Sequence, residues 1–218
     1  MFKDREEAGN LLVEELKMYS FENPIVMSIP RGGVEVGYHI ATKMDSDFSI
    51  IIVKRMTYRE KPDSVFGALA EDGSLYLNSR ATEPITKNEI ENGIKKAKKE
   101  IDRRIKLYRF CRYTPIINSR SVIIVDEGIA SGSTVMAAVD FCRKKKANKI
   151  IVAAPVASPQ IHKTLKEKVD DVVILNLSNP FYTESQVYKK FPKYADKEVI
   201  KHLKIWKARK NLIESLNA

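Results

Sequence analysis

The sequence predicts a three-layer α/β fold in which a mostly parallel sheet is flanked by helices. Short apolar runs rich in Val and Ile alternate along the chain with segments that repeat apolar residues at helical spacing. Several runs are apolar at nearly every position, as in strands that helices cover on both faces. The lengths between them suit right-handed crossovers, so we expect one domain of 218 residues built around a parallel sheet.

The composition is that of a soluble globular protein. Hydrophobic residues make up 44% and charged residues 30% of the chain, which excludes wholesale disorder. No apolar run reaches the length of a membrane span, and the charged start MFKDREEAGN lacks the apolar centre of a signal peptide. We therefore expect a cytoplasmic protein without membrane contact. Cys111 and Cys142 have no metal-ligand spacing and are expected to be reduced core thiols.

The formal charge of +10 permits two kinds of partner. A basic protein can bind nucleic acid, or it can bind a small and highly charged phosphate substrate. The basic stretches 95–99, 143–146 and 201–210 fall on the polar faces of helical patterns, where a solvated face is the default interpretation.

The first elements of the chain are a helix, a strand and a glycine-containing loop. Asp4 can cap a helix that carries an apolar stripe. A buried strand is then predicted at 24–29, and Pro30-Arg31-Gly32-Gly33 follows it and opens a helix that runs through Ala41. Two adjacent glycines let backbone N–H groups converge on an anion, and Arg31 can add a bidentate phosphate contact. A tight turn with a solvent-facing arginine is the alternative.

The next segments predict an active-site edge and a loop over it. A strand at 48–53 ends in Lys54 and Arg55, two cations at the edge of the sheet where ligands bind. Residues 56–64 are polar and aperiodic, which is typical of a mobile active-site loop. Residues 65–77 predict a hairpin that turns at Asp72-Gly73.

Further elements complete the alternation of strands and helices. A long helix is predicted from Thr86 to about Arg112, with its apolar residues on one face. After the central unit described next, we expect a strand at 149–156, a helix that begins near Pro159, and a strand at 172–177. From Asn179 the chain is aromatic and polar, and a basic helix follows from Asp196.

The central unit is the segment 122–135, VIIVDEGIASGSTV, which predicts a strand, a short loop and a helix. Gly128 and Gly132 allow backbone N–H groups to approach an anion closely. Ser131, Ser133 and Thr134 offer hydroxyl donors at the start of a helix whose dipole favours negative charge. The loop therefore predicts a phosphate site.

The two acids at the tip of this strand predict a different contact. Asp126 and Glu127 would repel phosphate, so we expect them to accept hydrogen bonds from sugar hydroxyls or to face a hydrated Mg²⁺. The unit thus combines a site for phosphate with a site for a diol.

The segment DEGIASGST, residues 126–134, resembles the phosphoribosyl pyrophosphate (PRPP) signature of type I phosphoribosyltransferases, and every defining position is filled. A generic nucleotide-binding loop is the alternative, but the segment lacks the lysine of a Walker A loop and the glycine spacing of a dinucleotide fingerprint. The segments FKDREEAGNLLVEEL, PRGGV and PFYTESQVYKKFPKYADKEV are similar to an uncharacterised bacterial and archaeal subgroup of that family. The resemblance covers nearly the whole chain.

The resemblance implies roles for particular residues. Asp126 and Glu127 would bind the ribose hydroxyls and face Mg²⁺ indirectly, through water or PRPP. Together with Arg31 and Lys54 they would stabilise the charges that separate when pyrophosphate leaves. The implied PRPP-binding residues are Gly128, Ile129, Ala130, Ser131, Gly132, Ser133, Thr134, Gly32, Gly33 and Arg55.

The resemblance also implies an activity and an organisation. The reaction would transfer ribose 5-phosphate from PRPP to a purine, a pyrimidine or a related nitrogenous base, as in nucleotide salvage, and the protein would be a homodimer. A core at about 20–178 would carry a flexible loop and hairpin at about 55–80 and a C-terminal hood at about 179–218. Which of Arg59, Lys61 or Glu71 contacts substrate stays open, as does the identity of the base.

A second interpretation is a PRPP-binding regulatory protein of the same fold that binds RNA or DNA. The sequence contains no recognisable helix-turn-helix or RNA-recognition motif, so the enzyme remains the first interpretation.

Overall fold

The structure is a computed structural model that describes residues 1–58, 60–78, 84–109, 115–181 and 183–216. The strands, in chain order, are β1 (Ile25–Ser28), β2 (Asp47–Ile50), β3 (Val53–Thr57), β4 (Val65–Ala70), β5 (Leu75–Leu77), β6 (Ser121–Val125), β7 (Lys149–Ala157) and β8 (Asp171–Leu177). The helices are α1 (Arg5–Leu16), α2 (Gly33–Met44), α3 (Lys87–Tyr108), α4 (Ser133–Lys144), α5 (Pro159–Lys166) and α6 (Asp196–Leu216).

The main sheet is parallel, as the sequence predicted. Its five strands lie in the order β2-β1-β6-β7-β8, and each neighbouring pair is parallel. The chain leaves β1 toward one edge of the sheet and leaves β6 toward the other. The crevice between the carboxyl ends of β1 and β6 is therefore the topological switch point, where open α/β sheets bind ligands.

Successive residues of the central strand point into two separate cores. In β6, Ile123 and Val125 join the cluster formed with α1, α2, α3 and α6. Val122 and Ile124 join the cluster formed with α4 and α5. This alternation explains why the run at 122–125 is apolar at every position, and it confirms the three-layer fold.

Side-chain caps fix the beginnings of three helices. The Asp4 carboxylate accepts a hydrogen bond from the Glu7 N–H at 3.0 Å, as its position before α1 predicted. Thr86 and Glu89 form a reciprocal capping box at the start of α3. Ser158 accepts from the Ile161 N–H at the start of α5, where Pro159 takes the first helical position.

The prediction of a single strand at 48–53 is wrong, because the structure divides this run between two strands. β2 ends at Ile50, and after the buried residues Ile51 and Ile52 the chain starts β3, which pairs antiparallel with β4. Apolar residues on both sides of the break are buried, so the apolar run gives no sign of the change between two sheets. Lys54 and Arg55 consequently lie within β3, and the polar segment predicted at 56–64 begins as strand.

The hairpin predicted at 65–77 is confirmed as β4 and β5, which complete a three-stranded antiparallel sheet with β3. Gly73 has a φ of +88°, a left-handed conformation that glycine adopts without steric cost. The Asp72 carboxylate accepts hydrogen bonds from the N–H and the hydroxyl of Ser74. The small sheet packs against α3 and α4 at one side of the main sheet.

Two helices end elsewhere than predicted. α2 continues beyond Ala41 to Met44, and α3 ends at Tyr108 rather than near Arg112. Cys111 lies outside the described residues. Cys142 is a free thiol buried within α4, and burial raises its pKa, so this cysteine is the core thiol that was expected.

None of the helices in the described ranges is both long enough and apolar enough to span a bilayer.

Candidate active site

The candidate site is a cleft of about 380 Å³ at the switch point between β1 and β6. The loop after β1 forms one wall and the loop after β6 forms the other. β3, α3 and the segment before α6 close the remaining sides. Its lining residues are Arg5, Ile29, Pro30, Arg31, Gly32, Val53, Lys54, Arg55, Arg104, Asp126, Glu127, Gly128, Ile129, Ala130, Ser131, Gly132, Thr134, Phe191, Lys193 and Tyr194.

The loop after β6 places a helix N-terminus at the cleft. Ile129 donates to the Val156 carbonyl at 2.9 Å, which fixes the middle of the loop to the end of β7. Gly132 then adopts a φ of +73° and caps α4, so the first backbone N–H groups of that helix lie beside the cleft. Such a terminus favours an anionic ligand.

Among the hydroxyl residues of this loop, the structure separates those at the cleft from one in the interior. Ser131 is exposed and Thr134 is partly exposed, and both line the cleft. Ser133 is fully buried and does not line it. Its hydroxyl accepts from the Ser131 hydroxyl at 3.3 Å, and its N–H donates to the Ser131 hydroxyl at 3.4 Å. The geometry thus offers the side chains of Ser131 and Thr134 to a ligand, but not that of Ser133.

The loop after β1 comes into close contact with the two acids. A Cβ added to Gly32 would lie 1.8 Å from Glu127 Oε2, and one added to Gly33 would lie 2.9 Å from Asp126 Cα. A Cβ at Gly33 would therefore meet backbone atoms, whereas a Cβ at Gly32 would displace the Glu127 carboxylate. Gly32 lines the cleft, whereas Gly33 does not and serves the close packing of α2 against the β6 loop.

Cations dominate the lining of the cleft. Arg5, Arg31, Lys54, Arg55, Arg104 and Lys193 face two carboxylates, Asp126 and Glu127. Burial, followed by the nearby Arg104, lowers the pKa of Lys54. Cations gathered at this density repel one another, so the cleft favours a polyanionic ligand that would relieve the repulsion.

Two of these cations come from parts of the chain that sequence patterns did not connect with the site. Arg104 lies on α3 in register with Ala97, Ile101 and Tyr108, the buried residues of that helix. An arginine on an otherwise apolar stripe was a usable signal, because burying a guanidinium needs an ionic partner or a ligand. In the structure Glu100 accepts from its Nε at 2.7 Å.

Arg5 had no such signal, and its role is visible only in three dimensions. It is 2% exposed, and its Nε donates to Glu127 Oε2 at 2.5 Å although the two residues are 122 positions apart. Its Nη1 donates to the Pro192 carbonyl at 3.1 Å. The guanidinium lies 4.0 Å from the centroid of the Phe191 ring and 5.3 Å from that of Tyr194.

The segment before α6 is held over the cleft by the chain terminus and by aromatic packing. The Phe2 N–H donates to the Val187 carbonyl and the Lys189 N–H donates to the Phe2 carbonyl.

Tyr188 stacks on Phe191, with centroids 5.0 Å apart. Tyr194 is buried, and its hydroxyl lies 2.6 Å from His202 Nδ1. Phe191 and Tyr194 thus serve packing as well as lining the cleft, and Tyr182 lies outside the described residues.

Asp196 ties α6 to both the β1 loop and α3. Its carboxylate accepts a hydrogen bond from the Tyr108 hydroxyl and pairs with Arg103 at 2.9 Å and with Arg31 at 3.9 Å. Burial by itself would raise the pKa of Asp196, but these donors lower it, so the group remains ionised near neutral pH. Arg31, which lines the cleft, therefore has an ionised acid beside it.

Of the three candidates in the predicted loop, the structure describes Glu71 and Lys61. The Glu71 side chain is largely buried, accepts from the Ile52 N–H at 3.1 Å and pairs with Arg109, away from the cleft. Lys61 is exposed and lies in a groove beside α3 rather than in the cleft. Arg59 lies outside the described residues. Glu71 therefore holds β4 to the end of α3 and does not reach the site.

The chain is similar in sequence to known proteins of one family. The phosphoribosyl transferase domain family matches residues 4–189. Two curated proteins of Mycobacterium tuberculosis strains, provisionally named as phosphoribosyl transferases, are each 31% identical over 208 residues. The match covers 93% of this chain and 46% of each relative, so the chain spans about half the length of these proteins.

A solved structure is similar over nearly the full length. The crystal structure of TT1426 from Thermus thermophilus superposes with a TM-score of 0.79 at 30% identity. The similarity covers 94% of this chain and 99% of the other.

Proposed function

The chain belongs to the phosphoribosyl transferase domain family, and from that membership we propose that it transfers ribose 5-phosphate from PRPP to a nitrogenous base and releases pyrophosphate. The observation that carries this proposal is the pairing of two loops across one cleft. The acid-containing loop with its helix N-terminus faces the Arg31 loop and its neighbouring cations.

The two ends of the cleft suit the two ends of PRPP. The N–H groups at the start of α4, with the hydroxyls of Ser131 and Thr134, would hold the 5′-phosphate. Arg31, Lys54 and Arg104 would hold the diphosphate at the other side. Asp126 and Glu127 line the same cleft at the end of β6 and would accept hydrogen bonds from the ribose hydroxyls.

The charge distribution also suits the chemical step. When pyrophosphate leaves, positive charge develops on the anomeric carbon and negative charge on the departing oxygens. Fixed cations on the diphosphate side and fixed carboxylates on the sugar side would stabilise both charges without reorganising. The excess of cations would favour binding of the polyanionic donor before reaction.

The donor set fits a magnesium ion that is held partly by PRPP oxygens rather than wholly by protein side chains. Among the described residues, no three His, Cys, Asp or Glu side chains cluster in a way that could hold a metal ion. Asp126 and Glu127 supply hard oxygen donors in the same cleft, and Mg²⁺ commonly takes one or two carboxylates together with substrate phosphates. When bound, it would neutralise charge on the diphosphate.

The segment after β8 is proposed as the hood that selects the base. Phe191, Lys193 and Tyr194 line the cleft from this segment, which the N-terminal residues hold in place. Because the Phe191 ring already contacts Arg5 and Tyr188, stacking on Phe191 cannot be the main contact for a base in this arrangement. Polar groups of the hood are therefore expected to contribute to acceptor recognition.

The test is calorimetric titration with PRPP, with and without Mg²⁺, followed by assay of pyrophosphate release with a panel of purines, pyrimidines and related bases. Binding that Mg²⁺ strengthens, together with release in the presence of one base, is the expected result. Binding without release from any base would instead favour a PRPP-responsive regulator. Absence of PRPP binding would refute both functions.

A single hydroxyl tests the phosphate end of the cleft. We expect Thr134→Val to weaken PRPP binding by about 1–2 kcal/mol, around the lower end of the range for one hydrogen bond to a charged group. Thr164→Val on α5 removes a hydroxyl that bonds the Gln160 carbonyl instead, and it should leave PRPP binding unchanged. Equal calorimetric affinity in the Thr134 variant and the wild type would contradict this placement of the phosphate.

A further inference from the structure

Arg5 occupies an unusual position for a residue in the first turn of a terminal helix. It is nearly fully buried, yet it lines the cleft and donates to the carboxylate of Glu127. The same guanidinium reaches the Pro192 carbonyl and lies over the Phe191 ring. Glu35 is the next nearest acid, with its Oε2 at 3.8 Å from Arg5 Nη1. One side chain thus joins α1, the β6 loop and the segment before α6.

The carboxylate of Glu127 is confined from a second side by the loop after β1. The three atoms nearest to a Cβ built on Gly32 are all carboxylate atoms of Glu127, at 1.8 to 2.3 Å. The carboxylate therefore lies against the Gly32 backbone, in space that any other residue would fill. In addition, the Tyr188 hydroxyl donates to the Glu127 carbonyl at 2.9 Å.

We propose that Arg5 is a positioning residue for the sugar-binding acid, holding the Glu127 carboxylate in one orientation at the cleft and linking it to the segment 188–194. This inference rests on the proposed function, since it assigns Glu127 to the ribose. An arginine suits the role because its planar fork can serve two acceptors at once while its charge is permanent. A carboxylate that is already oriented loses less side-chain entropy when a sugar binds.

Two other roles for Arg5 make different predictions. If Arg5 only packs the N-terminus against the rest of the protein, its replacement lowers stability but leaves ligand affinity intact in the folded protein. If Arg5 blocks Glu127 and must leave before sugar binds, its replacement tightens binding. The positioning role alone predicts a loss of affinity that depends on Glu127.

The experiment is a double-mutant cycle read with two probes, ribose 5-phosphate and inorganic pyrophosphate. The variants are Arg5→Met, Glu127→Gln and the combination of both, and dissociation constants are measured by calorimetry below each variant's melting temperature. We expect Arg5→Met to weaken ribose 5-phosphate binding about tenfold, the scale of a lost hydrogen bond to a charged group. In the Glu127→Gln background, Arg5→Met should change the affinity little further, because the effects of substitutions at coupled residues do not add.

Controls separate this role from general effects on charge and folding. Pyrophosphate carries no sugar hydroxyls, so its affinity should change less than about threefold in Arg5→Met, below the scale of a lost hydrogen bond to a charged group. Arg120→Met removes an arginine that pairs with Asp47 at 2.9 Å, away from the cleft, and should not change either affinity. If Arg5→Met does not fold, Arg5→Lys replaces it in the cycle. This variant keeps the charge but not the planar fork, and it is expected to weaken the binding of ribose 5-phosphate about threefold.

The outcomes distinguish the inference from the function on which it rests. If the wild type binds ribose 5-phosphate and the Arg5 variants bind it equally or more tightly, or if the losses from Arg5→Met and Glu127→Gln add, the positioning role is wrong and the function stands. If the wild type binds neither ribose 5-phosphate nor PRPP, the proposed function fails, and the inference fails with it.

Discussion

Replacing both acids of the β6 loop, Asp126→Asn with Glu127→Gln, is expected to weaken PRPP binding by about two orders of magnitude or more. Each carboxylate would accept a hydrogen bond from a ribose hydroxyl, and a bond to a charged group contributes about 1.5–3 kcal/mol. Amide side chains of the same size keep the packing around Gly32 and Gly33. Calorimetric titration of both proteins with PRPP measures the effect.

Pyrophosphate provides the decisive comparison for this variant, because the change also makes the cleft more positive. A cleft with fewer carboxylates attracts anions more strongly, so pyrophosphate should bind the variant as well as the wild type or more tightly. A loss of PRPP affinity without a loss of pyrophosphate affinity would therefore locate the effect at the sugar. A variant with Glu14→Gln and Glu15→Gln, two exposed acids of α1, makes the same change in charge and should leave both affinities unaltered.

Unchanged PRPP affinity in the Asp126 and Glu127 variant would remove these acids from the sugar site. A parallel loss of PRPP and pyrophosphate binding would instead indicate that the loop itself had been displaced. Thermal unfolding of each variant shows whether the fold was retained.

The second large effect concerns stability. Arg109→Met is expected to lower the free energy of unfolding by about 3–5 kcal/mol, because it leaves a buried carboxylate without its ionic partner. The side chains of Arg109 and Glu71 are 8% and 5% exposed, and the pair holds the start of the β4–β5 turn against the end of α3. Burial raises the pKa of Glu71, so its remaining charge would be costly. Chemical denaturation measures the loss.

Restoring neutrality should recover most of this stability. In the combination Arg109→Met with Glu71→Gln, the amide oxygen of Gln can still accept from the Ile52 N–H, and no charge is left buried. Arg120→Met is the matched control, since its pair with Asp47 is partly exposed at 27% and 34% and should contribute less than about 1 kcal/mol. A loss in Arg109→Met no larger than that of the control would contradict the assignment of Glu71 to structure.

Local sequence patterns were sufficient for most elements of the fold. The apolar run of β6, the cap of α1 at Asp4 and the turn at Asp72-Gly73 are each decided by residues within a few positions of one another. The break between β2 and β3 was missed for the opposite reason. Burial in either sheet demands the same apolar residues, so the sequence at 48–53 does not record which sheet each residue enters.

The sequence by itself determined that the chain forms an α/β protein with the loop DEGIASGST between a strand and a helix, because a phosphate loop is built from consecutive backbone groups. The tertiary structure decided which side chains surround that loop. Arg5 contacts Glu127 across 122 positions, Arg104 turns into the cleft from α3, and Ser133 turns away from it. Such contacts depend on how distant elements pack, and neither helical nor strand periodicity records the identity of the partner.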